Sequence, residues 1–338
     1  MINQIIKLVE PKKLEINFEQ LDLPKNHIIV KPTYMSICAA DQRYYQGKRK
    51  KEVLAKKLPL TLIHECIGEV LYDPKKEYEV GEKVVLIPNT PYDEDEVIKE
   101  NYRTNTKFRS SSKDGFMQGL VYMRRNRIIP IRNINPEIAS LLELLSVAVN
   151  GIENFKEKAH LRRKTLGVWG DGSVSYVTAL VLKKYFPDSK LVVLGINKEK
   201  LSYFSFADEI KFVDELEKDF KIDHGFECVG GAGAESAIEQ MIDYINPQGT
   251  ITLLGVSEDP PRINTRMVLE KGLTLLGNSR SGYTDFEKSV ELLQDPQMQD
   301  YVENIICDRI EIKALSDIYK AFDADMNNYF KTVMKWSL

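Results

Sequence analysis

With 338 residues the chain is about twice the length of an average domain, which favours two packed units over one. Its 43% hydrophobic and 29% charged residues exclude a disordered chain, and 47 basic against 50 acidic side chains leave a net charge of −3, no field with which to hold nucleic acid. Four cysteines are too few for a disulfide framework, no run of roughly 20 apolar residues could span a bilayer, and Lys7 and Glu10 interrupt what an export signal would need; the expectation is a cytoplasmic protein with no membrane partner.

Residues 27–30, 66–72 and 83–88 read as short strands between Pro, Gly and charged turns, so the first 145 residues look β-rich and irregular. From residue 165 the pattern changes. An apolar strand at 165–169 ends in Gly170, and Val174, Val177, Val181 and Tyr185 then recur at helical spacing up to Pro187. Further strands follow at 190–194, 210–213, 225–229, 250–254 and 273–276, with helical crossovers at 234–244 and 285–293. Six strands alternating with helices predict an α/β, doubly wound parallel sheet of the Rossmann type. The tail, 310–338, returns to mixed character and is expected to pack back on the first domain. The charge runs 48–51 and 93–96 read as solvated loops.

Gly170-Asp171-Gly172-Ser173-Val174-Ser175 reads as G-x-G-x-x-S between a strand and a helix. The first glycine permits the tight turn, and the second lets the backbone approach a pyrophosphate at the helix N-terminus. In NAD-specific sites an acid about 20 positions on accepts the ribose hydroxyls. This chain has Gly195-Ile196-Asn197-Lys198 instead, with Lys200 beyond. A glycine leaves room for a 2′-phosphate and the lysines supply positive charge, so NADP(H) is expected over NAD(H). The cofactor-binding set is then Gly170, Gly172, Ser173, Val174, Gly195, Asn197 and Lys198, with Cys228, Val229 and Gly255 at the ends of later strands.

Cys38 and the pair His64-Glu65 offer thiolate, imidazole and carboxylate, all of them zinc ligands. Ser36-Ile37-Cys38-Ala39-Ala40-Asp41 resembles the G-I-C-G-[ST]-D of zinc-dependent medium-chain alcohol and polyol dehydrogenases. His64 to Val70 resembles their G-H-E-x-x-G-x-V, and Val80-Gly81-Glu82-Lys83-Val84 their G-D-R-V turn. Glu143-Leu144-Leu145-Ser146-Val147 resembles the E-P-L-S-V of the sorbitol dehydrogenase branch, and Phe226-Glu227-Cys228-Val229-Gly230 the nicotinamide-side F-D-x-x-G. The resemblance covers the whole chain. It implies a GroES-like β-rich catalytic domain, residues 1–145 with 305–338, and a Rossmann domain, residues 146–304. It also implies a catalytic zinc surrounded by Cys38, His64, Glu65 and Glu143, the last directly or through water. Residues 89–112 contain no cysteine, so the structural zinc of many relatives is not expected.

The run from Tyr34 to Tyr45, with Pro88-Asn89-Thr90-Pro91, Phe108-Arg109-Ser110-Ser111 and Gly277 to Gly282, is similar to bacterial ribulose-5-phosphate reductases. That similarity implies NADPH-dependent reduction of D-ribulose 5-phosphate to D-ribitol 5-phosphate, which a cytidylyltransferase converts to CDP-ribitol for teichoic acid or capsule. It further implies a homodimer joined through 273–276 and a complex with the cytidylyltransferase. The hydroxyl that relays a proton in many relatives is replaced by Ala40, which leaves Glu65 or Tyr45 as candidates; Arg43, Arg109 and Arg280 are candidates for the substrate phosphate. Cys66, Cys307 and His224 read as core residues, and Cys228 as a small packed residue beside the cofactor. Two other readings stand at this point: a polyol dehydrogenase for unphosphorylated sugars, and a non-catalytic NADP-binding protein.

Overall fold

Ile28, Ile29 and Val30 are all buried, as a strand covered on both faces requires, and they open the central strand Ile28–Ser36 of the first unit. The computed structural model describes residues 1–338. Two compact units emerge, Met1–Glu143 with Ser281–Leu338, and Leu144–Arg280.

The sheet of the first unit runs in the order Ile306–Ile312, Lys331–Trp336, Ile28–Ser36, Glu65–Tyr72, Lys83–Leu86, Ile128–Pro130, with Val121–Met123 also pairing to Ile28–Ser36. Val333 and Met334 lie opposite Ser36 and Met35, so the C-terminal strand is a structural neighbour of the segment that leads into Cys38. Leu8, Val30, Met35, Leu62, Phe116 and Phe322 share one apolar core. The helices Tyr283–Leu292 and Pro296–Glu303 also belong to this unit. The family resemblance assigns residues 281–304 to the nucleotide-binding half, whereas they pack with the first unit. Their anchors are there: the Glu100 carboxylate accepts the Tyr283 N–H at 2.6 Å, and the Gln299 side chain donates to the Asn133 carbonyl and accepts the Asn135 N–H.

The second unit carries the expected six-stranded sheet, every strand parallel, in the order Glu209–Phe212, Lys190–Gly195, Thr165–Trp169, His224–Glu227, Thr250–Leu253, Thr274–Gly277. In chain order this is 3-2-1-4-5-6, the doubly wound arrangement whose carboxyl ends receive a dinucleotide. Trp169, the last residue of the first of these strands, packs with Val192, Leu194, Ile238, Met241 and Ile251. The helix Ser173–Tyr185 leaves the glycine turn with Val177, Leu180 and Val181 buried.

Candidate active site

Cys38 is the N-cap of the helix Ala39–Tyr45, with extended backbone at φ −96° and ψ 150°. Three residues on, Asp41 is fully buried and ties together the segments that carry the candidate ligands. Its Oδ1 accepts the Ile63 N–H at 3.0 Å and the Ser110 hydroxyl at 2.5 Å, and its Oδ2 lies 3.3 Å from His64 Nδ1. A carboxylate on Nδ1 fixes the ring and leaves Nε2 as the nitrogen that can ligate a metal. Burial pulls the His64 imidazole towards its neutral form; the Asp41 carboxylate and the Cys38 sulfur override this and favour positive charge at that spot.

Glu65 opens the strand Glu65–Tyr72 and is itself buried. Its Oε1 accepts from the Lys331 ammonium at 2.8 Å, and its Oε2 accepts from the Ser36 hydroxyl. Lys331 also donates to the Ile37 carbonyl, one residue before Cys38, at 2.6 Å. The ligating atoms of Cys38, His64 and Glu65 lie within 4.8 Å of one another, a thiolate–imidazole–carboxylate set suited to zinc. Glu143 stands outside that trio but in its field: burial lifts its pKa to about 7, with Glu65 adding to the rise and His64 and Lys331 opposing it.

In the second unit a cavity of about 400 Å³ is lined by Gly170, Asp171, Gly172, Gly195, Cys228 and Val229, among others. Gly170 has φ +125°, and a Cβ there would lie 2.3 Å from the Ser175 hydroxyl, which is why serine is tolerated at the third position of the motif only while the first stays glycine. Gly172 has open space where its Cβ would be, as close approach of a ligand requires, and Ser173 and Val174 begin the helix behind it. Asn197 caps the next helix, Lys198–Leu201, by accepting the Lys200 N–H. Room beside Gly195 was expected to serve a 2′-phosphate. In the structure the side chain of Asp171 packs where a Cβ on residue 195 would go, its Oδ2 accepting the N–H groups of Ile196 and Asn197, while Gly195, Ile196 and Lys200 line the same cavity. Glu227 organises the far rim by accepting the N–H groups of Val229, Gly230 and Gly255. Cys228 is buried behind it, and that burial holds its thiol well above the ordinary range.

Two of the expected substrate contacts are corrected. Arg109 is only 4% exposed; its guanidinium donates to the carbonyls of Asp114 and Tyr122 and lies over the Phe116 ring, so it braces its own loop and offers nothing to a phosphate. Tyr45 is a core residue, its ring stacked 4.3 Å from that of Phe322, and burial lifts its phenol to about 12, so it is no proton donor to a substrate. Arg43 lies half-buried in the last turn of Ala39–Tyr45, and Arg280 sits in left-handed backbone at φ +60°, its carbonyl accepting from Asn150. Sequence reasoning assigned no role to Asp41, Ser36, Lys331, Asp171 or Glu227; all but Lys331 stood inside quoted motifs, and a polar residue buried in such a motif is a signal that can be followed.

Known proteins match the chain over nearly its whole length. Residues 24–133 match the alcohol dehydrogenase GroES-like domain, and residues 190–295 match the zinc-binding dehydrogenase family. Ribulose-5-phosphate reductase 1 of Staphylococcus aureus is 48% identical over 99% of both chains, and the ribulose-5-phosphate reductase of Bacillus spizizenii 46% identical over 100% of both. The crystal structure of S. aureus TarJ in complex with NADPH superposes with a TM-score of 0.90 at 44% identity, covering 100% of each chain. Escherichia coli L-idonate 5-dehydrogenase, at 18% identity, shares the fold with a TM-score of 0.87. The chain belongs to the ribulose-5-phosphate reductases of the zinc-binding dehydrogenase family.

Proposed function

We propose that this chain transfers hydride from NADPH to the ketone of D-ribulose 5-phosphate, giving D-ribitol 5-phosphate and NADP⁺ with uptake of one proton. The observation that carries the reading is the intact Cys38, His64 and Glu65 trio, braced by buried Asp41, in a chain that named reductases match from end to end. A zinc ion bound there would supply Lewis acidity towards the ketone oxygen. Cys38, His64 and Glu65 are the residues that would hold it, and Asp41 keeps the imidazole oriented. Ala40 has no hydroxyl and Tyr45 is stacked in the core, so the proton route falls to the carboxyls of Glu65 and Glu143.

One zinc per chain is proposed, with no structural zinc. Where that second metal would be sought, the segment 89–112 closes on itself: Arg103 donates to the carbonyls of Asp93, Asp95 and Ile98 at 2.8, 2.8 and 3.0 Å. Arg43 and Arg280 remain the candidates for the substrate phosphate, and a guanidinium suits it through paired donors. The product is the substrate a cytidylyltransferase needs to make CDP-ribitol, and a cytoplasmic homodimer working beside such an enzyme completes the proposal.

Steady-state oxidation of NADPH with D-ribulose 5-phosphate and with D-ribulose tests it. Turnover confined to the phosphorylated ketose, with Arg43→Ala raising its KM about tenfold or more and leaving kcat nearly unchanged, is the expected result. Equal turnover of both sugars would make the chain a general polyol dehydrogenase, and turnover of neither would overturn the substrate.

A further inference from the structure

The residues that follow Ser110 gather positive charge that the reaction does not use. An isolated backbone bridge pairs Arg109 with Lys113, and the Arg109 guanidinium donates to the Tyr122 carbonyl on the strand Val121–Met123, which Arg124 follows. Met123 lies opposite Ile28, so His27 joins the same corner, its ring 6.4 Å from that of Tyr122. Arg109, Arg124 and His27 thus surround the partly buried ammonium of Lys113. Both guanidiniums are fixed in place. Arg109 donates to the carbonyls of Asp114 and Tyr122 and lies over the Phe116 ring, and Arg124 donates to the Pro91 carbonyl and lies over the Tyr92 ring.

Nothing of opposite charge answers Lys113. The carboxylate next to it in the chain, Asp114, turns away: its Oδ1 accepts the Thr61 N–H at 2.9 Å, and its Oδ2 lies 3.4 Å from the Lys7 ammonium. Burial first, and then the charges of Arg109 and Arg124, bring the Lys113 amine from an ordinary 10.5 to about 8. At pH 7.5 about a quarter of such an amine is neutral, against about a thousandth of an ordinary lysine. The guanidiniums that repel the ammonium also attract an anion. One effect makes a nucleophile, and the other draws an anionic electrophile to it.

We propose that Lys113 is a site of covalent modification, acylated by an acyl phosphate drawn into the positive field of Arg109 and Arg124. The neutral amine attacks the carbonyl carbon, a C–N bond forms, and the C–O bond to phosphorus breaks with its electron pair leaving on inorganic phosphate. The proton lost from Nζ ends on that phosphate. The amide is uncharged, so acylation also removes the repulsion within the cluster. Neither the sugar nor the metal takes part.

The full chain is incubated with acetyl phosphate at a series of pH values, and acetylation of each lysine is followed over time by mass spectrometry of its peptides. At pH 7.5 Lys113 is expected to react about tenfold or more faster than the exposed Lys12, Lys51 and Lys218, and its rate to level off above about pH 8 while theirs keep climbing. Arg124→Gln should slow Lys113 about threefold or more and leave the other three unchanged. A rate at Lys113 no greater than theirs, or one that climbs with pH in parallel with them, would overturn the proposal. An unchanged rate in a folded Arg124→Gln chain would overturn the part given to the guanidinium field. Should that variant fail to fold, the ranking and the pH profile of the unaltered chain still decide.

Discussion

Lys331 and Glu227 are both buried charges, one in each unit, and they are satisfied in different ways. Lys331 is met by the Glu65 carboxylate and the Ile37 carbonyl, and Glu65 in turn by the Ser36 hydroxyl. Glu227 is met by three backbone N–H groups from residues 229, 230 and 255. The candidate metal centre is thus a network of side chains drawn from distant positions, Glu65 and Lys331 being 266 residues apart, while the nucleotide rim is built from backbone donors and glycines. A network of charges fails when one member is truncated. A backbone rim fails when an added Cβ displaces it.

The largest effect should come from the network. Cys38→Ser is expected to lower kcat/KM for D-ribulose 5-phosphate about a thousandfold and to lose bound zinc by elemental analysis, while the NADPH dissociation constant stays within about twofold. A parallel loss of nucleotide binding would show that the two sites are not separable. Lys331→Met removes the partner of a carboxylate that is 0% exposed, and the cost of leaving such a charge uncompensated is about 3–5 kcal/mol, read from denaturant melts. A loss below about 1 kcal/mol would mean that Ser36 alone satisfies Glu65.

His224 gives an effect of similar kind in the second unit. Burial and the neighbouring His160 ring lower its pKa to about 4, and both nitrogens are engaged, Nδ1 accepting the Thr250 N–H and Nε2 facing the Arg162 carbonyl. The unfolded chain takes up this proton near pH 6.5 and the folded one only near 4, so stability should fall as pH drops through that window, by about 3 kcal/mol at most, and level off below it. Melts of the native chain and of His224→Asn at several pH values check this; identical slopes would remove His224 from the account. Gly255→Ala should cost about 2 kcal/mol and weaken NADPH several-fold with zinc content unchanged, because its Cβ would fall 2.4 Å from the Gly230 nitrogen and 2.6 Å from a Glu227 carboxylate oxygen. Unaltered NADPH binding in that variant would show that the rim can give way.

The same contrast explains what could be read from sequence. All six strands of the nucleotide sheet were legible, with bounds that agree to within a residue or two; the four inner strands are buried on both faces and read as apolar runs, while the edge strands Glu209–Phe212 and Thr274–Gly277 are only partly buried. The helix Leu142–Lys158 was not: its periodicity is broken by Asn150, Gly151 and Asn154, whose reasons are tertiary. Asn154 donates to the Asn278 side chain at 2.6 Å, and a Cβ on Gly151 would lie 2.8 Å from Leu254. The ribbon Ile2–Glu10 with Lys13–Gln20 was also missed, since Ile16 and Phe18 alternate as a strand should but remain exposed. Cys38, His64 and Glu65 were visible as a motif. Lys331 was not, because nothing local marks a lysine that pairs so far back along the chain, and Arg109 was misassigned because sequence does not say that carbonyls will use its donors.

The central claim is that Cys38, His64 and Glu65 hold a metal on which reduction of the phosphorylated ketose depends. NADPH oxidation with D-ribulose 5-phosphate, followed before chelation, after removal of the metal and after addition of zinc, tests it most directly. Activity that disappears with the metal and returns with about one zinc per chain is the predicted result. Full activity in the chelated, metal-free protein would contradict the account.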